Sequence, residues 1–124
     1  MNVVDSSAWI EYFEDSNRAS LFATAIEQRD QLLVPVIALY EVHKVLSRQM
    51  PPPVVEKFLT VMRMGRVIDL TDQRAIAASV AASQHNLAMA DAAMYSIALE
   101  YKATFWTQDA DYEGLDSVQY FAKT

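Results

Sequence analysis

Four carboxylates, Asp5, Glu41, Asp91 and Asp109, fall at or beside predicted strand ends or within an apolar helix, where an unpartnered charge costs several kcal/mol. Val3 and Val4 run straight into Asp5, and Thr104, Phe105 and Trp106 run into Thr107 and Asp109, so two of the acids follow predicted β-strands at their carboxyl ends. Open α/β sheets bind ligands at that edge. Hard oxygen donors gathered in this way, without cysteine or paired histidine, suit Mg2+ or Mn2+. The chain has no cysteine, and His43 and His85 stand apart with no partner at ligand spacing, so both are expected to be bystanders.

Each acid has a plainer role to weigh against that one. Asp5 between strand and helix is ordinary capping chemistry. Glu41 borders an apolar stripe with Ile37 and Val45, yet Lys44 and Arg48 lie three and seven residues further on, which equally suits a surface ion-pair ladder. Asp109, in the run TQDAD, suits a polar turn. Asp91 resists such a reading, because Leu87, Tyr95 and Ala98 share its helix face and no basic residue lies within one turn. A helix-dipole role is worth only ~0.3 to 1 kcal/mol when exposed, too little to offset burial among apolar neighbours. Taken together the weights change: parallel strand ends and adjoining helices bring distant residues to one edge, where like charges repel unless a cation neutralises them.

The elements that must position these acids can be read from the patterning. Asn2 to Asp5 predicts a short buried strand, with Ser6 or Ser7 capping a helix through Trp9, Ile10, Tyr12 and Phe13. Asp15, Ser16 and Asn17 break that pattern and cap a second helix carrying Leu21, Phe22, Ala25 and Ile26. Leu32 to Val34 predicts the second strand. Pro35 suits the first turn of a helix over 36–48, which the prolines at 51, 52 and 53 end. A helix over 54–64 closed by Gly65, a strand over 66–70 and a helix over 72–85 capped by Thr71 follow. Residues 87–99 form a largely buried helix in which Asp91 is the one charge, and 103–106 form the next strand. Tyr112, Gly114 and Leu115 predict a turn, and 118–121 an edge strand. Strands alternating with helices imply a parallel sheet covered on both faces.

Composition bounds the class. A chain of 124 residues, 52% apolar and with two glycines, buries one ordinary core, so residues 1–124 are read as a single domain. The first ten residues lack a basic leader and no apolar run approaches the roughly 18 to 20 residues that span a bilayer, so a cytoplasmic protein with no membrane partner is expected. The net charge of −6 argues against gripping nucleic acid by overall positive charge. The charge is uneven, however: Lys44, Arg48, Lys57, Arg63 and Arg66, five of the ten basic residues, lie between 44 and 66, with Glu56 the only acid among them.

Three stretches, VVDSSAWIEYF at the start, PVIALYEV in the middle and LAMADAAMYSIALEYKATFWTQDADY near the end, resemble in order and spacing the PIN-domain family, and within it the small ribonucleases of the VapC toxin type. The resemblance implies a three-layer α/β sandwich with a central, mainly parallel sheet of four to five strands flanked by helices. It implies a four-acid pocket binding Mg2+ or Mn2+ and endonucleolytic cleavage of RNA. By position, Asp5 matches the acid ending the first strand, Glu41 the helix acid, Asp91 the acid opening the buried helix and Asp109 the acid after the last core strand. Ser7 and Thr107 match hydroxyls near the pocket, and Asp111 an additional, outer ligand. Tyr112 departs from the usual phenylalanine, and Phe105 and Trp106 from the usual aliphatics, which bears on substrate fit rather than on the ligand set.

Such a metal would also offset the repulsion between the acids and RNA, with Lys44, Arg48, Lys57, Arg63 and Arg66 as candidates for phosphate contacts on the rim. The resemblance further implies a small antitoxin as partner and a symmetric homodimer. Trp9, Tyr12, Phe13, Leu21 and Phe22 exceed what one side of a small sheet obviously needs, so they predict either a groove for that partner or plain core. Two other readings fit the same residues: a PIN-like RNA-processing nuclease without an antitoxin, and a non-catalytic PIN-like binding module.

Overall fold

The fold grows outward from a strand too apolar to lie at an edge. In the computed structural model, which describes residues 1–123, Val3 and Val4 of β1 (Asn2–Val4) are fully buried. β1 pairs in parallel with β2 (Leu32–Pro35) on one side and β4 (Thr104–Thr107) on the other. β3 (Arg66–Ile68) adds in parallel beyond β2, and β5 (Val118–Tyr120) beyond β4. The order β3-β2-β1-β4-β5 therefore puts the least buried strands at the edges, and every strand pair among the described residues is parallel. The expected three-layer α/β sandwich with a parallel sheet is the architecture found, with five strands.

Among the described residues six α-helices flank the sheet: α1 (Ser6–Phe13), α2 (Ala19–Glu27), α3 (Val36–Leu46), α4 (Pro52–Met62), α5 (Asp72–His85) and α6 (Met89–Glu100). After β1 the chain builds outward through β2 and β3, then returns across the sheet to β4. The neighbours β1 and β4 thus face opposite directions of chain winding, the switch point at which open α/β sheets leave a crevice beyond their carboxyl ends.

Several boundaries differ from the sequence expectation, each for a local reason. Pro35 ends β2 instead of opening α3, and α3 stops at Leu46, short of Arg48. Pro52 and Pro53 do not merely end α3; they form the first turn of α4, where a missing N–H costs nothing because first-turn N–H groups have no helical acceptor. α4 accordingly ends at Met62, and β3 ends at Ile68 before an exposed run to the Thr71 cap, whose hydroxyl accepts from the Arg74 N–H. α6 begins at Met89, so Asp91 is its third residue and Leu87 precedes it. No helix among the described residues is long and apolar enough to cross a membrane.

Gly65 does not close α4, whose C-cap is Arg63, and its role lies in a close approach to β2 instead. A Cβ there would lie 3.0 Å from both the side chain and the carbonyl oxygen of Leu32, the residue that opens β2. Gly65→Ala is therefore expected to push β3 away from β2 and destabilise the fold by about 1 to 3 kcal/mol, measurable as a lowered denaturant midpoint. An unchanged midpoint would mean that this approach imposes no constraint.

Candidate metal centre

Asp5 occupies the N-cap position of α1, but only its backbone does capping work: its carbonyl accepts from the N–H groups of Ala8 and Trp9 at 3.0 and 3.1 Å, while its carboxylate makes no cap bond. The side chain is instead turned across the β1–β4 pair, where Thr107 Oγ1 donates to Asp5 Oδ2 at 2.8 Å. The ladder enforces this neighbourhood, because the Asp5 N–H donates to the Trp106 carbonyl at 2.9 Å. Thr107 Oγ1 also accepts from the Asp109 N–H at 3.0 Å, and Asp109 Oδ1 accepts from the Asp111 N–H at 2.9 Å, so one hydroxyl links two of the acids through the turn.

Glu41 comes from the middle of α3 and Asp91 from the first turn of α6. Asp5, Glu41, Asp91 and Asp109 line one cleft of about 220 Å³ together with Ser6, Ser7, Ile10 and Val45. Asp91, Asp109 and the exposed Asp111 each offer a carboxylate oxygen, and these lie within 4.8 Å of one another. Among the described residues no basic side chain lines this cleft.

The electrostatics follow from that geometry. Asp5 is 4% exposed, and burial, reinforced by the charges of Asp91 and Asp109, pushes its carboxyl up to about 7 despite the Thr107 hydrogen bond. Burial also raises the Asp91 carboxyl, with Asp109, Glu41 and Asp111 adding to the effect. The Tyr112 hydroxyl lies close enough to Asp91 to favour its ionised form, yet this fully buried group has no hydrogen-bond partner of acceptable geometry among the described residues. A set of oxygen donors that resist sharing negative charge is what a divalent cation would relieve.

Two hydroxyls divide otherwise than expected. Ser6, expected only as a possible helix cap, lies inside α1 after the N-cap Asp5, is buried and donates to Glu41 Oε1 at 2.7 Å. Ser7 lines the cleft, but its buried Oγ has no partner among the described residues. Helical geometry could have separated them, since the two successive side chains point about 100° apart on α1.

The five basic candidates lie away from the lining of the cleft. Lys44 sits over the Tyr40 ring, Arg63 pairs with Glu56 at 3.2 Å, and Arg66 packs its guanidinium over Tyr101. Arg48 and Lys57 are exposed. Lys123, which sequence reasoning missed, shares a second cavity with Ser7 and Asp109. Its link to the site depends on how the chain beyond β5 folds back, which no local motif encodes.

The aromatic cluster divides too. Trp9 and Phe22 are fully buried core and belong to no groove. Tyr12 and Phe13 are half-buried and line, with Phe58 and Val61, a cavity of about 440 Å³ that also carries Asp15, Glu27 and Arg29.

The PIN domain family model matches residues 3–118. The chain belongs to the PIN domain family. Its fold recurs in a chain of a toxin-antitoxin complex from Klebsiella pneumoniae, 16% identical over 96% of each chain with a TM-score of 0.82. It recurs in Mycobacterium tuberculosis VapC20, described as a sarcin-ricin loop cleaving toxin, at 16% identity over 96% of this chain and 99% of that one, with a TM-score of 0.77. VapBC2 from Rickettsia felis, solved on a DNA fragment from its promoter, matches at 10% identity over 98% and 97% of the two chains, with a TM-score of 0.74. No curated protein sequence matches this one.

For this PIN domain the raised Asp5 carboxyl gives a pH signature. The metal-free folded chain holds the Asp5 proton more tightly than the unfolded chain, so the contribution to stability is complete below the unfolded value of 3.8. It is lost as pH rises to about 7. In chelator, stability is expected to fall across that window by an amount on the order of a few kcal/mol, and Asp5→Asn to flatten the fall. Urea melts of both proteins at a series of pH values check it; parallel curves would remove Asp5 as the source.

Proposed function

We propose that this PIN domain is a metal-dependent endoribonuclease, the toxin of a toxin-antitoxin pair, with Asp5, Glu41, Asp91 and Asp109 as ligands of Mg2+ or Mn2+ and Asp111 as an outer ligand. The observation that carries the proposal is how the carboxylates are held. Asp5 has Oδ2 bound by Thr107, Glu41 has Oε1 bound by Ser6, and Asp109 has Oδ1 bound by the Asp111 N–H. Each therefore has one oxygen pinned by a neutral donor while the residue lines the cleft. A neutral donor at the back of a carboxylate both fixes its direction and favours its ionised form, the usual support of a metal ligand.

When bound, such an ion supplies neutralising charge at the scissile phosphate and acidifies a water for attack on phosphorus, without a catalytic histidine or lysine. The protein's share is orientation. Thr107 couples Asp5 to the turn holding Asp109, so the two acids keep a fixed separation across the β1–β4 switch point. Ile10 and Val45 line the same cleft and give it an apolar wall that limits the water near the acids. Hydrolysis of the phosphodiester consumes one water, breaking the bond from phosphorus to the leaving ribose oxygen, which takes up a proton.

Asp91→Asn tests the assignment because the amide preserves shape and removes charge. RNA cleavage in Mg2+ or Mn2+ is expected to drop by roughly 100-fold or more, beyond what loss of an outer-shell partner costs, with the domain still folded. Its denaturant midpoint in chelator is expected to rise, since one repelling charge is gone. Cleavage at the parental rate by the folded variant would refute the role.

The toxin reading draws support from α1. Ile10 lines the acid cleft and Phe13 lines the aromatic groove, about 5 Å apart along the helix axis. An amphipathic segment of a small antitoxin seated on Tyr12, Phe13 and Phe58 would lie within reach of the acids, and a basic side chain sent into them would gain charge-assisted hydrogen bonds while displacing the cation. Co-expression with the product of the neighbouring small gene should give a stable complex inactive on RNA, and its mass should report two copies of each chain if the expected homodimer forms. No complex, or one as active as the free chain, would leave a PIN ribonuclease without an antitoxin.

A further inference from the structure

The cavity that holds Lys123 adjoins the acid cleft and has the opposite chemical character. It measures about 400 Å³, is lined by Ser7, Gln108, Asp109, Ala110, Tyr120 and Lys123, and shares Ser7 and Asp109 with the cleft. Its polar groups are mostly donors. Gln108 is 4% exposed, and its Oε1 accepts from Arg18 Nε at 2.6 Å, which leaves the amide NH2 as the group it can present. Ser7 Oγ, buried and without a partner among the described residues, stands on the wall between the two compartments. Lys123 makes no ion pair among the described residues, even with Asp109 on the same cavity.

This lysine is not carried on a loose strand end. The Phe121 N–H donates to the Thr107 carbonyl at 2.9 Å, continuing the β4–β5 ladder by one bond. Arg18 Nη2 donates to the carbonyls of Phe121 and Ala122 at 3.0 and 3.3 Å. The Phe121 ring stacks on Trp106 and meets Phe22 edge-on, at centroid separations of 6.1 and 5.6 Å. One arginine thus holds both Gln108 and the backbone leading to Lys123, so two of the cavity's donors are set by a single side chain.

We propose that this cavity is a phosphate subsite of the candidate active site, in which the Lys123 ammonium, the Gln108 amide and the Ser7 hydroxyl take the backbone phosphodiester next to the one being cut. The inference rests on the ribonuclease reading and adds to it the direction in which the RNA strand leaves the acids. A chain of net charge −6 whose cleft carries acids and no basic side chain needs a cation beside that cleft to hold a polyanion in register, and Lys123 is the basic side chain that the fold brings to the adjoining cavity. Because Ser7 and Asp109 line both compartments, a strand held at the acids passes directly beside the second cavity.

The test measures binding of a labelled single-stranded RNA oligonucleotide, by fluorescence anisotropy across a range of salt, to the full chain carrying Asp91→Asn in Mg2+. Adding Lys123→Ala is expected to weaken binding roughly five- to tenfold and to reduce the log–log salt slope by about 0.7, the value for one phosphate contact on a single strand. Lys123→Arg should restore both. In the Asp91-intact chain, Lys123→Ala should leave Mn2+ affinity unchanged. Equal RNA affinity and slope with and without the lysine would overturn the subsite while a chain that still binds and cuts RNA keeps the ribonuclease reading. A matching change in Mn2+ affinity would also overturn it, placing the ammonium on the acids. If the parental chain neither binds nor cuts RNA, both readings fall.

Discussion

Asp5, Glu41, Asp91 and Asp109 arrive from four different elements at one cleft, and the repulsion among them constrains everything built around it. Water would screen four such charges on an open surface. Here Asp5 is buried against β4, where the lower local dielectric strengthens both its desolvation cost and its coupling to Asp91 and Asp109. The fold tolerates this by giving the carboxylates neutral donors in place of cations. Thr107, Ser6 and the Asp111 N–H each hold one oxygen, and none of them brings a positive charge that would compete for the space between the acids.

Such an arrangement works only if the strands cannot slip. The β1–β4 register is pinned at both ends: Trp106 Nε1 donates to Asn2 Oδ1 at 2.8 Å at one end, and Thr107 donates to Asp5 at the other. A slip of one residue would set Trp106 or Gln108 opposite Asp5 and turn the supporting hydroxyl to the other face of the sheet. The buried aromatic cluster of Tyr95, Phe105 and Tyr112 stiffens the same strand from behind, with the Tyr95 hydroxyl bound to the Asp116 carbonyl at 2.7 Å. Rigidity at the acids is thereby supplied by apolar packing.

Much of this was legible in the sequence because it depends on local pattern. The apolar run into Asp5, the alternation of strands and helices, and the lone charge in the Ala-rich helix of Asp91 are each visible within a dozen residues, and the parallel sheet follows from them. What escaped depends on rotation about a helix or on contacts distant in the chain. Ser6 and Ser7 look interchangeable until α1 is placed against α3, when Ser6 turns toward Glu41. Pro52 and Pro53 read as a break between helices and are in fact a helix start. Trp9 and Phe13 lie on one helix with similar hydrophobicity, yet one is core and the other lines a groove, a division made by α4 bringing Phe58 to within 4.4 Å of the Phe13 ring. Lys123 meets the site across more than a hundred residues, through a backbone clamp from Arg18.

Helix α1 shows how little chain the site uses. In eight residues it supplies a hydroxyl that supports Glu41, a second hydroxyl shared by two compartments, two core residues in Ala8 and Trp9, an apolar wall for the cleft in Ile10, and two aromatic faces of the groove. Its amino end is fixed by the Asp5 carbonyl and its carboxyl end by the stack of Trp9, Phe13 and Phe58. A helix held at both ends cannot rotate to relieve strain at one of them. Groove and acid cleft thus share one short helix: Phe13 lines the first, and Ser6, Ser7 and Ile10 line the second, three to seven residues back along α1.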